Sequence, residues 1–144
     1  MIFEEAYNQY LMEQEKNGDH EFDKLFGGLA TADEIIEKMM ELTMRDLMMD
    51  QTCISHRFAV ARMKYLAEVR DVDFQTMFLD KTLLDHLLHI EKQARRLIDM
   101  ERPKMMEKWN IQEEIKKDFL KGVGLKENME DTLIQIAMEE YVYV

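Results

Sequence analysis

The sequence contains few of the residues that interrupt helices or form tight turns. It has one proline and five glycines among 144 residues. A β-sheet protein of this length needs many tight turns, which favour glycine, proline and asparagine. The sequence has instead 14 methionines and many glutamates, lysines and leucines, which all favour helix. This composition predicts an all-α fold, a compact bundle of about five to six helices in a single domain.

Features of secreted and membrane proteins are also missing. Cys53 is the only cysteine, so the chain cannot form an internal disulfide. The opening residues, MIFEEAYNQY, have neither the basic nor the apolar region of a signal peptide. No apolar run reaches the length of about 18 residues that is expected of a membrane-spanning helix. We therefore expect a cytoplasmic protein.

Acidic residues dominate, but not evenly. The formal net charge is −11, and residues 1–50 carry 13 Asp/Glu against 4 Lys/Arg. Residues 51–102 are almost balanced, with 9 basic and 8 acidic side chains. An acidic surface repels nucleic acid but attracts the basic grooves of proteins that bind nucleic acid. The alternative is that the acidity only keeps a small protein soluble.

The first half of the sequence is expected to be helical. Apolar residues at helical spacing predict a first helix over about residues 3–17, and a short helical turn followed by a loop is expected over 20–30. Thr31 and Glu34 have the spacing of a capping box, which predicts a second helix that ends near Asp50. We treat residues 1–60 as an acidic helical N-terminal segment.

The second half is expected to contain further helices. One is predicted over about 54–70. A single long helix is predicted from about Asp73 to Met100, capped by Asp71 or Asp73. Pro103 is expected to mark a break or a helix start. One or two short helices should end at Gly122 and Gly124, and a last helix is predicted over about 127–140.

Four side chains have a spacing that a zinc site could use. Cys53 and His56, and likewise His86 and His89, are three residues apart, as ligands on one helical turn would be. The alternative is that these are packed or surface side chains, and we expect no metal and no cofactor. None of the histidines has a glutamate three residues before it, which excludes the di-iron pattern of ferritin-like bundles. No arrangement of nucleophile and base stands out, so we expect a protein that is not an enzyme.

Two charged faces are candidate binding surfaces. On the second helix, Glu34, Glu37 and Glu41 line one face with Asp33 beside them, and we interpret these four residues as a partner-binding surface. The helix over 54–70 has a basic polar face. Its candidate residues are Arg57, Arg62, Lys64 and Arg70. That face could contact nucleic acid, the acidic surface of a partner or the acidic first 50 residues of the chain, or it could simply be solvated.

Four pieces of the sequence follow one another in order: RMKYLAEVR, LLDHLLHIEKQARRLI, PKMMEKWNIQEEIK and AMEEYVYV. In their order and spacing they resemble the TnpV family of transposon-encoded proteins. The resemblance covers about residues 62–144, so residues 61–144 are interpreted as a TnpV-like helical region, whereas the first 60 residues do not match. It implies that His86 lies in a packed helix. It also implies an accessory of mobile elements, carried beside site-specific recombinases, that binds protein, DNA or both.

These observations together favour a non-catalytic interaction protein of a mobile genetic element. Its acidic helical surface would bind a nucleic-acid-processing enzyme, and inhibition of a CRISPR nuclease by DNA mimicry fits the charge pattern. The alternative is an accessory that regulates a site-specific recombinase, with DNA contact through the basic 54–70 helix. Direct DNA binding is disfavoured by the net charge, no membrane partner is expected, and the protein could form oligomers.

Overall fold

The computed structural model describes residues 31–144, which form a helical domain. Its elements are α1 (Ala32–Met49), α2 (Arg57–Val69), α3 (Asp71–Leu79), α4 (Leu83–Lys108), α5 (Ile111–Lys117), α6 (Phe119–Ala137) and a π-helical turn (Met138–Val142). The all-α prediction is confirmed, since this part of the chain contains no strand. The helix predicted over 3–17 and the turn over 20–30 lie outside the described residues. The division at residue 60 stays a prediction.

Helix α1 begins as the capping box predicts. The amide of Glu34 donates a hydrogen bond to the Thr31 hydroxyl oxygen at 3.1 Å. This bond satisfies one of the amides that lack a partner in the first turn of a helix. Residues at a spacing of four, from Ile35 through Met39 to Leu47, are buried on one face of α1. That face packs against α2, α3 and α4.

Helix α4 is the central helix of the domain, because it contributes to both hydrophobic clusters of the core. Leu83 and Leu87 pack into the first cluster, together with buried residues of α1, α2 and α3. Ile90, Ala94 and Ile98 pack into the second, with residues of α5, α6 and the π-helical turn. The seven- and eight-residue steps between Leu83, Ile90 and Ile98 keep both clusters on one side of the helix.

The prediction of one helix from Asp73 to Met100 is wrong, because the chain turns at Lys81. Lys81 adopts the left-handed conformation with φ 63°. The amide of Thr82 then donates to the carbonyl of Met77 at 2.9 Å, and the amide of Lys81 donates to the carbonyl of Phe78 at 3.1 Å. This is the hydrogen-bond pattern of a Schellman motif, which ends a helix. Glycine usually occupies the left-handed position, so a lysine there gives little signal in the sequence.

The predicted cap at the start of this region is also wrong. Asp71 and Asp73 both lie inside the first turn of α3, and Arg70 is the N-cap residue without a side-chain capping bond. Two acidic side chains in the first turn still favour the helix, because they lie at the positive end of its dipole.

Pro103 and the two glycines do not interrupt the helices that contain them. Helix α4 continues through Pro103 to Lys108, and the chain turns only at Asn110, with φ 55°. Helix α6 begins at Phe119 and runs through Gly122 and Gly124. A Cβ atom at Gly122 would lie 2.5 Å from the Cα of Ile115. Gly122 therefore allows α5 and α6 to approach closely and does not end a helix.

None of the helices in the described part of the chain is both long and apolar enough to cross a membrane.

Candidate functional site

The four predicted acidic residues lie together and exposed on the first ten residues of α1. Glu41 is neutralised in part, since its carboxylate lies 3.4 Å from Lys38 Nζ and 3.5 Å from Arg45 Nη2. Asp33 and Glu37, which are four residues apart, have no cation within ion-pair distance among residues 31–144. Of the four predicted acids, Asp33 and Glu37 are therefore the most available to a partner.

Arg62 does not belong to an exposed basic face, and that prediction is wrong for this residue. Its side chain is buried, with 6% of its surface exposed. Its Nη1 donates to the main-chain oxygens of Val142 at 2.8 Å and Val144 at 2.9 Å. Its Nε lies 3.3 Å from Nε2 of His86. Arg62 therefore fastens the end of the described chain onto α2 and α4.

The other predicted basic residues remain at the surface, in two different settings. Arg70 pairs with Asp73 at 2.9 Å and donates to the main-chain oxygen of Val144 at 3.0 Å. Arg57 and Lys64 are exposed, and neither side chain has an acidic partner in the described part. The basic face is thus reduced to these two cations.

Arg57 and Lys64 line a groove of about 800 Å³ between the end of α1, α2 and the π-helical turn. Apolar side chains, among them Met48, Val60 and Tyr65, form much of its lining. The rings of Tyr65 and Tyr143 meet edge to face, with centroids 5.6 Å apart. Sequence reasoning missed this groove because its walls come from three separate parts of the chain. The only local signal was the set of adjacent methionine pairs, such as Met48 and Met49, which cannot both face the core.

The four candidate zinc ligands have other surroundings. His56 Nε2 lies 3.2 Å from a carboxylate oxygen of Asp50, and His86 is bound to Arg62. His89 is exposed, and Cys53 is half-buried beside Thr52. In residues 31–144, no group of three His, Cys, Asp or Glu side chains could hold a metal ion.

His86 lies half-buried in α4, as the resemblance implies. Burial lowers its pKa, and the neighbouring positive charges of Arg62 and Arg70, together with His89, lower the pKa further. The neutral ring is therefore favoured. Its Nε2 can then accept the hydrogen bond from Arg62 Nε while the proton lies on Nδ1.

Glu91 has a role that the sequence pattern did not reveal. It lies fully buried on α4. Its Oε1 accepts hydrogen bonds from the amides of Phe58 at 2.9 Å and Ala59 at 3.3 Å, which are in the first turn of α2. Its Oε2 accepts from Arg95 Nε at 3.1 Å. Glu91 lies among the buried residues of α4, but only the packing of α4 against α2 identifies it as a cap.

Comparison with known proteins places the chain in a family. The family described as Transposon-encoded protein TnpV matches residues 56–143. No curated protein and no solved structure matches the chain. The matched part begins at the N-cap residue of α2 and includes Arg62, His86 and Glu91, whereas acidic α1 lies before it. The match covers more than half of the sequence and confirms the resemblance of the four motifs: the chain belongs to the TnpV family of transposon-encoded proteins.

Proposed function

We propose that this protein is a non-catalytic, cytoplasmic interaction protein of a mobile genetic element, and that its acidic α1 surface binds a nucleic-acid-processing enzyme. The observation that carries the proposal is the pair of exposed carboxylates of Asp33 and Glu37, which have no cation within ion-pair distance among residues 31–144. A basic nucleic-acid-binding surface on a nuclease or recombinase would be attracted to such a patch and oriented by it.

The non-catalytic part of the proposal is supported by what the buried ionisable groups do. Glu91 caps α2 and Arg62 binds main-chain oxygens. In the described residues, every buried side-chain nitrogen and oxygen has a hydrogen-bond partner. These groups are thus used to hold helices together.

A protein that mimics DNA needs a density of negative charge close to that of a duplex, so the charge along α1 can be compared with that of DNA. Helix α1 has five acidic and two basic side chains over 18 residues, a length of about 27 Å at a rise of 1.5 Å per residue. Duplex DNA carries about one negative charge per 1.7 Å. Helix α1 alone is therefore much less charged than a duplex, and a mimic that inhibits a CRISPR nuclease would also need the seven Asp/Glu of residues 1–30.

DNA contact through the 54–70 helix receives less support. Arg62 is buried and Arg70 is paired with Asp73, which leaves Arg57 and Lys64. Two phosphate contacts give weak binding that is easily lost at higher salt.

The test is binding of the full-length protein to a guide-loaded Cas9-type nuclease and to a site-specific recombinase at about 50 and 200 mM salt. Asp33→Lys with Glu37→Lys should weaken binding at least about tenfold. The control is Glu127→Lys with Asp131→Lys, which makes the same change in charge at the same spacing on exposed positions of α6. It should bind within about twofold of the wild type.

Both melting temperatures should be measured, because Asp33 lies in the first turn of α1 and its reversal removes a favourable helix-dipole interaction. Equal binding by the two variants would reject the acidic surface. Failure of the wild type to bind either enzyme would reject both partner classes.

A further inference from the structure

The groove beside α2 combines apolar walls with an unequal distribution of charge. Arg57, Ala61, Lys64 and Glu68 follow one another at steps of four, three and four residues, so they form one stripe along α2. Met48 and Tyr143, at the edges of the groove, are 58% and 53% exposed. Exposed methionine and tyrosine are frequent at surfaces that bind other proteins, since both can contact varied apolar shapes.

The two cations of this stripe are positioned to bind carboxylates. They are seven residues apart on α2, which is about 10.5 Å along the helix axis. His56, the other basic group of the groove, is already paired with Asp50. Glu68 makes the opposite end of the groove negative. A ligand with acids towards Arg57 and Lys64, but none near Glu68, is therefore favoured over one that is acidic along its whole length.

We propose that this groove binds an amphipathic helical segment of a partner protein. The apolar face of the segment lies on Val60 and Tyr65, and two acidic residues seven positions apart pair with Arg57 and Lys64. A helix matches because its own i, i+7 spacing equals that of the two cations when the axes are aligned. A nucleic-acid strand does not match, since it would bring phosphates to Glu68.

This groove is separate from the acidic surface of the proposed function. The acidic surface selects a basic partner, whereas the groove selects an acidic one. Met48, at its edge, is eleven residues beyond Glu37 on α1, which is about 16 Å along the helix. One molecule can therefore hold a basic surface at one end of α1 and an acidic helix at the other. The failure of either binding activity leaves the other intact.

The probe is a fluorescently labelled amphipathic helical peptide of about 18 residues. It carries leucines on one face and two glutamates seven positions apart beside them, and its binding to the full-length protein is measured by anisotropy. A second peptide has lysine in place of both glutamates. We expect the acidic peptide to bind at least about tenfold more tightly than the basic peptide.

The variant Arg57→Glu with Lys64→Glu should lose this preference. The matched control is Lys92→Glu with Arg96→Glu, which makes the same charge change at two exposed cations of α4 outside the groove. The control should keep the preference for the acidic peptide. Met48→Ser should weaken both peptides, because it removes apolar contact without changing charge.

Three outcomes would overturn the proposal. The first is that the acidic peptide fails to bind the wild type at millimolar concentration. The second is that it binds the Arg57/Lys64 variant as tightly as it binds the control variant. The third is that the wild type self-associates, as measured by light scattering, while the groove variant alone is monomeric. The occupant would then be a second copy of this chain.

Discussion

The carboxylate of Glu91 caps a helix to which it does not belong. Its Oε1 accepts the amide of Phe58 at 2.9 Å, although the two residues are 33 positions apart. The guanidinium of Arg95 lies 5.2 Å from the centre of the Phe58 ring and also donates to Glu91. The start of α2 is thus fixed to the middle of α4 by one buried anion and its counter-ion.

Glu91→Ala should therefore destabilise the protein substantially. We expect a loss of roughly 2–4 kcal/mol in the free energy of unfolding, because two buried amides lose their acceptor and α2 loses its cap. Urea unfolding measures the loss. Glu113→Ala is the control, since its ion pair with Lys116 is exposed and should contribute less than about 1 kcal/mol. Equal losses at the two positions would contradict the capping role.

Replacement of Arg62 should loosen the last described residues. Arg62→Lys keeps the charge but loses the planar fork that reaches Val142, Val144 and His86 together. We expect a loss of roughly 2–4 kcal/mol, since hydrogen bonds to charged groups contribute about 1.5–3 kcal/mol each. Hydrogen exchange of residues 141–144 should accelerate. Arg70→Ala, which removes an exposed contact to the same oxygen of Val144, should have a smaller effect on both measurements.

The lowered pKa of His86 predicts a loss of stability in mild acid. Its pKa in the folded protein lies below the ordinary 6.5, so the unfolded chain binds a proton on this ring at a higher pH than the folded protein. The stability that this difference contributes is complete above about pH 6.5 and is lost as the pH falls through the folded-state pKa. His86→Gln should reduce the decrease in unfolding free energy between about pH 7.5 and pH 5.5. An unchanged pH dependence would show that His86 does not titrate in this way.

The two glycines of α6 should respond to alanine in opposite directions. At Gly122 the new Cβ would lie 2.5 Å from main-chain atoms of Ile115, which cannot move aside. Gly122→Ala should therefore cost roughly 3 kcal/mol or more by forcing α5 and α6 apart. At Gly124 no atom lies within 4 Å of the new Cβ, so Gly124→Ala should stabilise the helix by about 0.5–1 kcal/mol. Thermal and urea unfolding of both variants test this contrast.

Local signals in the sequence predicted the features that depend on a few neighbouring residues. The Thr31 cap of α1 follows from the spacing of Thr31 and Glu34 alone. The end of α3 at Lys81 could not be predicted in this way, because a left-handed lysine resembles an ordinary helical residue in the sequence. Gly122 was misread because its role depends on Ile115 in another helix.

The candidate sites likewise include residues that local spacing could place and residues whose surroundings depend on distant parts of the chain. Asp33 and Glu37 were predicted as surface acids, and the spacing on one helix was enough to place them. Arg62 looked equally exposed because it lies among polar residues, but its partners are 24 to 82 positions away. The groove depends on Met48, Lys64 and Tyr143 coming together, which no pattern within a single helix can indicate.

The bond between Arg62 and Val142 also has a consequence for the order of folding. It closes a loop of 80 residues, whereas α5 and α6 adjoin in the sequence and can form a helical hairpin with little loss of chain entropy. Contacts of such high contact order are expected to form after the local ones. Substitutions at Arg62 should then accelerate unfolding much more than they slow folding. The residue that joins the first helix of the family region to its last turn would thus govern how long the native state persists.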